Sequence, residues 1–329
     1  MRARSTRRPA RPRADPALPA RKRADPALPA RQRADPALPA RKRADPALPA
    51  RERARHIPAV ALSPIGAFAR EHDPDRFLCA LFAPAASREA IFVLIGVNHE
   101  LARAREATTN PMAALIRLQW WRDAIDEARA GRPPRRHEVA APLHGAIVAG
   151  MLDPDALLSM VDAREVEAED GIASEEAFVA WLRGTAGGWS AAAGLALRAT
   201  PAEAEALRGL GAAYGLAGVL RSTAVHAAQG RCVLPADRLA RHGLSAAAVM
   251  AAPGAPALQA MLRDMAAEGL VALDGARHDL PPGAIAAGLP AVLARRDLAR
   301  LAAGGTVAPR GRGVADRLAV AWAGLRGRP

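Results

Sequence analysis

Aromatic side chains are scarce in this 329-residue chain: Phe, Trp and Tyr together make up 3% of it. β-branched residues are thin as well, while Ala and Leu dominate an apolar fraction of 50%. That balance excludes a large β-sheet and predicts helices packed through small side chains. Only two cysteines occur, Cys79 and Cys232, far apart and without metal-ligand spacing. They exclude a disulfide scaffold or zinc ribbon and are expected to be reduced, buried thiols. Long uncharged apolar runs are missing too. The best two, 184–197 and 210–220, are too short to cross a bilayer. The expectation is a cytoplasmic protein, soluble or peripherally attached at the inner membrane.

Basic residues are plentiful, but they are unevenly placed. The formal net charge is +13, of which residues 1–55 carry +12 and the rest +1. The high isoelectric point therefore belongs to the N-terminal segment and not to a nucleic-acid-binding domain. Residues 14–53 are four tandem decapeptides, ADPALPARKR, ADPALPARQR, ADPALPARKR and ADPALPARER. Two prolines per repeat prevent a continuous helix. One leucine per repeat cannot bury enough surface to offset ordering. A disordered basic tail over 1–55 is expected. It could be a solvated low-complexity segment, a product of a start codon placed too far upstream, or an arm for nucleic acid or anionic lipid.

From Ser63-Pro64, a helix-start pair, to the end of the chain, the pattern is that of one helical domain over 63–329. Helical periodicity covers 75–81, 87–106, 112–130, 143–151 and 154–169. It resumes over 174–187, 189–197, 201–228, 235–242, 245–251, 256–273 and 289–301. Ser87, Asp153, Ser174 and Ser245 are candidate N-caps. No strand-period run of useful length interrupts them, so the fold class is all-α. The run GTAGGWSAAAGLAL at 184–197 is a close-packing stripe or the wall of an apolar pocket. RLQWWR at 117–122 is the densest aromatic patch: Trp120 and Trp121 either pack an amphipathic helix or contact a partner or lipid.

Two segments carry candidate chemistry. GVLRSTAVHAAQGRCVLP at 218–235 resembles the second active-site helix of the squalene/phytoene synthase superfamily. That helix runs approximately N-I-x-R-D-x-x-x-D-x-x-x-G-R-x-x-L-P. Val219, Arg221, Gly230, Arg231, Leu234 and Pro235 keep the frame, but Ser222 and His226 stand at the two aspartates. DRFLCALFAPAASREAIFVLIGVNHELARARE at 75–106 resembles the region of the first aspartate-rich helix. There Ala102, Arg103 and Glu106 occupy the three acidic positions. The resemblance spans about 63–301. Its motifs N-x-E-L-A near 98, R-x-Q-x-W at 117–121 and L-R-x-x-x-x-H…L-P…H-G at 220–243 are similar to the branch containing a mitochondrial complex I assembly factor.

The resemblance implies an isoprenoid-synthase-type helical bundle. In its enzymes, Mg²⁺ held by the aspartates stabilises a diphosphate leaving group while one prenyl chain couples to a second. Helical spacing puts Asn98, Ala102 and Glu106 on one face and Gly218, Ser222 and His226 on another. With Ala102, Arg103, Ser222 and His226 at the aspartate positions, no metal and no condensation are expected. The implied function is a catalytically silent assembly or binding factor at the membrane, for respiratory complex I. Its partners would be respiratory subunits or the membrane surface, with a prenyl lipid as a possible occupant of the interior and nucleic acid not expected. The alternative is a divergent prenyl-diphosphate transferase that still uses Mg²⁺. The candidate pocket residues are Asn98, Glu106, Arg221, His226 and Arg231. Each also has a plain structural role open to it: Glu106 pairing with Arg103, His226 in the core, the arginines bracing helix ends.

Overall fold

A computed structural model describes residues 62–106, 108, 110–169, 171–276, 280–305 and 312–329. The decapeptide repeats lie outside the described residues. Fifteen α-helices occupy the described part. In order they are α1 (Pro64–His72), α2 (Pro74–Ala80), α3 (Ala85–Glu106), α4 (Pro111–Arg129), α5 (Ala140–Val148), α6 (Pro154–Asp162), α7 (Glu175–Gly184) and α8 (Ala186–Ala196). They continue with α9 (Pro201–Ala228), α10 (Ala236–Arg241), α11 (Ala246–Ala251), α12 (Pro256–Gly275), α13 (Ile285–Gly288), α14 (Pro290–Ala302) and α15 (Val314–Arg326). The β structure among the described residues is an isolated parallel bridge between Ile172 and Pro235.

Local chemistry sets most boundaries. Proline, whose missing N–H costs nothing in a first turn, opens α1, α2, α4, α6, α9, α12 and α14. Side chains before several of these accept the orphan N–H groups: Ser63 from Gly66, Asp73 from Arg76, Asn110 from Met112 and Asp153 from Asp155. Ser174 and Ser245 cap α7 and α11 in the same way. Thr200 and Glu203 close a reciprocal capping box on α9. Ser87, expected as a cap, instead lies inside the first turn of α3, where its N–H bonds to Pro84. The expected helix over 154–169 ends at Asp162 and turns into a 3₁₀ segment, Glu165–Ala168. The break expected after Gly187 falls earlier, at Thr185. Helix α15 lies beyond 289–301, the last helix expected from the sequence.

The centre of the bundle is the crossing of α8 and α9. Gly211 makes that crossing possible: a Cβ there would fall 2.5 Å from Ser190 Oγ and 2.6 Å from the Ala186 carbonyl. Gly187, on the opposing helix, would meet the Arg208 carbonyl at 2.6 Å. Backbone atoms cannot withdraw, so glycine is required at both places. The small residues of 184–197 thus serve helix approach. Trp189, the one aromatic side chain among them, is fully buried. Around this crossing α3 supplies Ile91, Phe92, Leu94, Ile95 and Leu101 to the main core, while α12 and α14 build a second cluster against α9.

Candidate functional site

Helices α3 and α9 bring their matching faces to one cavity of about 240 Å³. Asn98, Ala102 and Glu106 line it from α3, and Gly218, Ser222 and His226 from α9. Arg221 and Arg231 also reach it. Arg103 does not: it lies in a separate groove with Trp120, Trp121 and His137, and its carboxylate neighbour is Glu100 at 4.0 Å, not Glu106.

Several lining residues carry no sequence signal of their own. Arg76 is buried beneath the cavity, its guanidinium 4.6 Å from the Trp189 ring and 4.9 Å from the Tyr214 ring, with Asp73 as its ion pair at 3.0 Å. Arg164 donates to Glu167 at 2.7 Å and to Asn98 Oδ1 at 3.2 Å, tying α3 to the 3₁₀ segment. Glu167 also accepts from the Trp181 indole at 2.9 Å. At the other end Asp297 of α14 accepts from Arg221 at 3.3 Å, Arg300 at 3.0 Å and Arg312 at 2.8 Å. Arg312 donates as well to Asp75 on α2 at 2.8 Å. Burial works against the Arg312 charge, but Asp75 and Asp297 overcome it and raise its pKa. Tyr214, Arg221, Ser222 and Arg312 are shared with a larger neighbouring groove of about 730 Å³ that α2 borders with Phe77 and Leu78.

Five arginines and three carboxylates line the inner cavity. Burial first, and then Arg231, pull the His226 pKa down, so its imidazole is neutral at pH 7 and its buried Nδ1 lacks a partner among the described residues. The formal balance is therefore cationic. Two carboxylates, Glu167 and Asp297, are already engaged by arginines, and the third, Glu106, stands at the exposed end of α3. A hard divalent cation needs free oxygen ligands in octahedral array. Among the described residues no three His, Cys, Asp or Glu side chains converge to hold a metal. These residues do not fit magnesium; they suit an anion.

The squalene/phytoene synthase family profile matches residues 69–318. The chain belongs to the squalene/phytoene synthase family. Among solved structures it is similar to a dehydrosqualene synthase in complex with ligand, with a TM-score of 0.67 and 12% identity over 80% of this chain and 94% of that one. It is also similar to squalene synthase HpnC from Alicyclobacillus acidocaldarius, with a TM-score of 0.58 and 15% identity over 72% of this chain and 91% of that one. At such identities the fold is what is shared. Curated relatives are complex I assembly factor 6 of Bos taurus, 28% identical over 179 residues, and of Homo sapiens, 27% identical over 179 residues. The matched stretch is 54% of this chain and 53% of each relative, so the chain spans about half the length of the curated relatives it matches.

Within this synthase fold, Trp121 is not available to a partner: it is 4% exposed and belongs to the main core. Trp120 is half-buried, edge-on to Trp121 at 5.0 Å, with the Arg135 guanidinium 4.8 Å from its ring. Both cysteines are buried free thiols, and burial raises the pKa of each.

A histidine pair, of which His72 borders the larger groove, should give the protein a pH dependence. His72 and His99 stack at 4.3 Å, and Phe68 meets His99 edge-on at 5.5 Å. Burial, followed by His72 and Arg103, pulls the His99 pKa from 6.5 down to about 4, against a weaker upward pull from Asp73. Between those values the unfolded chain takes up a proton that the fold refuses. The stability that neutral His99 contributes should therefore be full above about pH 6.5 and be lost as pH drops toward 4. Denaturant midpoints measured across that window should decline, and His99→Gln should flatten the decline. An unchanged slope in the variant would show that other groups cause it.

Proposed function

We propose that this protein keeps the synthase fold without its metal-dependent condensation and acts as an assembly or binding factor for respiratory complex I, peripheral at the membrane. The observation that carries the first half is the composition of the cavity. Ala102, Ser222 and His226 line it, and by the sequence resemblance these are positions that carry aspartates in the family's enzymes. Two of the cavity's three carboxylates, Glu167 and Asp297, are paired with Arg164, Arg221 and Arg312, and the third, Glu106, stands exposed at the end of α3, unpaired among the described residues. A diphosphate leaving group could still meet arginines, but nothing is placed to hold the cations that stabilise its departure.

The second half rests on the similarity to complex I assembly factor 6 over about half of those relatives. Compared with the family pattern that the sequence resembles, both aspartate helices differ at acidic positions while Arg221, Gly230, Arg231 and Pro235 match it. Such a pattern fits a fold retained for binding. No described helix is long and apolar enough to cross a membrane, which is compatible with peripheral attachment.

Deleting the gene in its source organism should lower assembled complex I and its rotenone-sensitive NADH oxidation. Complementation by the wild type and by Glu106→Ala should restore both equally, because Glu106 has no metal to hold. Normal complex I in the deletion strain would refute the assembly role. Failure of Glu106→Ala alone would favour the transferase alternative.

A further inference from the structure

Helix α15 is fixed to the body on one side only. Val320 is fully buried with Cys79, Ile285, Leu289 and Leu293. Gly324 sits so close to Phe82 that a Cβ would fall 2.5 Å from its ring. Asp316, 6% exposed, accepts from Arg296 at 2.6 Å and also from Arg300. These anchors settle which face looks outward.

On the outward face stand Val314, Leu318, Trp322 and Leu325, exposed by 73%, 63%, 58% and 79%. Their spacing gathers them into one stripe about 80° wide on the helical wheel. Arg317 borders the stripe on one side and Arg326 on the other, and Arg328 follows Gly327, whose left-handed turn ends the helix. Arg326 holds its guanidinium 4.2 Å from the Trp322 ring. None of these three arginines pairs with a carboxylate among the described residues. The helix's single acid, Asp316, is turned inward.

We propose that α15 is an interfacial helix that seats the protein on an anionic lipid bilayer, with the Leu318–Trp322–Leu325 stripe in the headgroup–acyl boundary and the arginines on the phosphates. An apolar stripe flanked on both sides by arginine and free of exposed acid has the charge pattern of that surface. A tryptophan with one apolar and one polar edge suits the headgroup level. At 13 residues the helix is about 20 Å long, too short to span the hydrocarbon core. A second copy is a poorer occupant, because two-fold pairing would bring the arginine borders of both copies together. The inference deepens the peripheral-membrane part of the function proposed above and names the surface responsible.

The test uses the full chain as wild type, Trp322→Glu and Trp322→Phe. Each is mixed with vesicles of phosphatidylcholine plus phosphatidylglycerol, and with phosphatidylcholine alone. The basic N-terminal segment also attracts anionic vesicles, but about 0.5 M salt screens that attraction. Under this condition the wild type should still bind the anionic vesicles, and Trp322→Glu about ten-fold more weakly, since binding follows buried apolar area. Trp322→Phe should bind like the wild type yet lose the fluorescence quenching caused by brominated lipid. Equal binding by wild type and Trp322→Glu would overturn the role of α15 while leaving peripheral attachment intact. No binding by the wild type, at low salt as well as at about 0.5 M, would overturn both. A dimer abolished by Trp322→Glu, with no vesicle binding, would assign the stripe to a second copy.

Discussion

Asp297→Ala is expected to destabilise the fold by about 3–5 kcal/mol, the range for stranding buried charges by deleting their partner. Asp297 is 4% exposed and is shared by Arg221, Arg300 and Arg312. Arg312 would keep Asp75, but its side chain is only 10% exposed, so water cannot take over the lost contacts. Arg221 would be left without an ion pair among the described residues. Because Arg312 draws α2 and α14 together just ahead of α15, the loss should also loosen the C-terminal helix. Urea titration gives the global figure, and hydrogen exchange over 312–326 reports the local one. A change near that of a surface substitution, about 0.5 kcal/mol, would mean the network is broken in solution.

Trp189→Ala should cost a comparable amount, about 3–5 kcal/mol, for a different reason. The indole is fully buried at the glycine-rich crossing of α8 and α9, where Gly187 and Gly211 hold the backbones at contact distance and leave the helices no room to collapse into a void. The same ring faces the Arg76 guanidinium, so truncation removes a π surface from a buried cation as well. Trp189→Phe keeps a smaller ring and should recover part of the loss. Equal stability of Trp189→Ala and Trp189→Phe would place the effect elsewhere.

Both predictions concern residues whose roles the sequence hides. Helix positions were legible because proline and capping side chains announce the starts of α6, α7, α9 and α11, and small residues betray the α8–α9 crossing. The two cavity-lining faces were legible because four-residue spacing places Asn98, Ala102 and Glu106 together, and likewise Gly218, Ser222 and His226. The arginine–carboxylate partners were not. Arg312 meets Asp75 across 237 positions, and Arg164 meets Asn98 across 66, pairings that no local pattern encodes. Trp120 and Trp121 form the aromatic patch that the sequence displays, yet the exposed tryptophan is Trp322, in a helix beyond the last one expected, 289–301.

The cavity's chemistry follows from these distant partners as much as from the missing aspartates. Had Glu167 and Asp297 been free, two carboxylates would remain near the positions of Ser222 and His226. With Arg164, Arg221 and Arg312 on them, the cavity keeps a cationic balance and a neutral His226. That balance underlies the proposal that the cavity favours an anionic group over a divalent cation.

The most direct test is turnover by the purified full chain with Mg²⁺ and either farnesyl or geranylgeranyl diphosphate, followed by extraction and mass spectrometry of the lipid phase. No squalene, phytoene or related head-to-head product, together with unconsumed substrate, is the predicted result. Metal-dependent accumulation of any such product would contradict the account, and its loss in Arg221→Ala would show that the retained frame still carries the reaction.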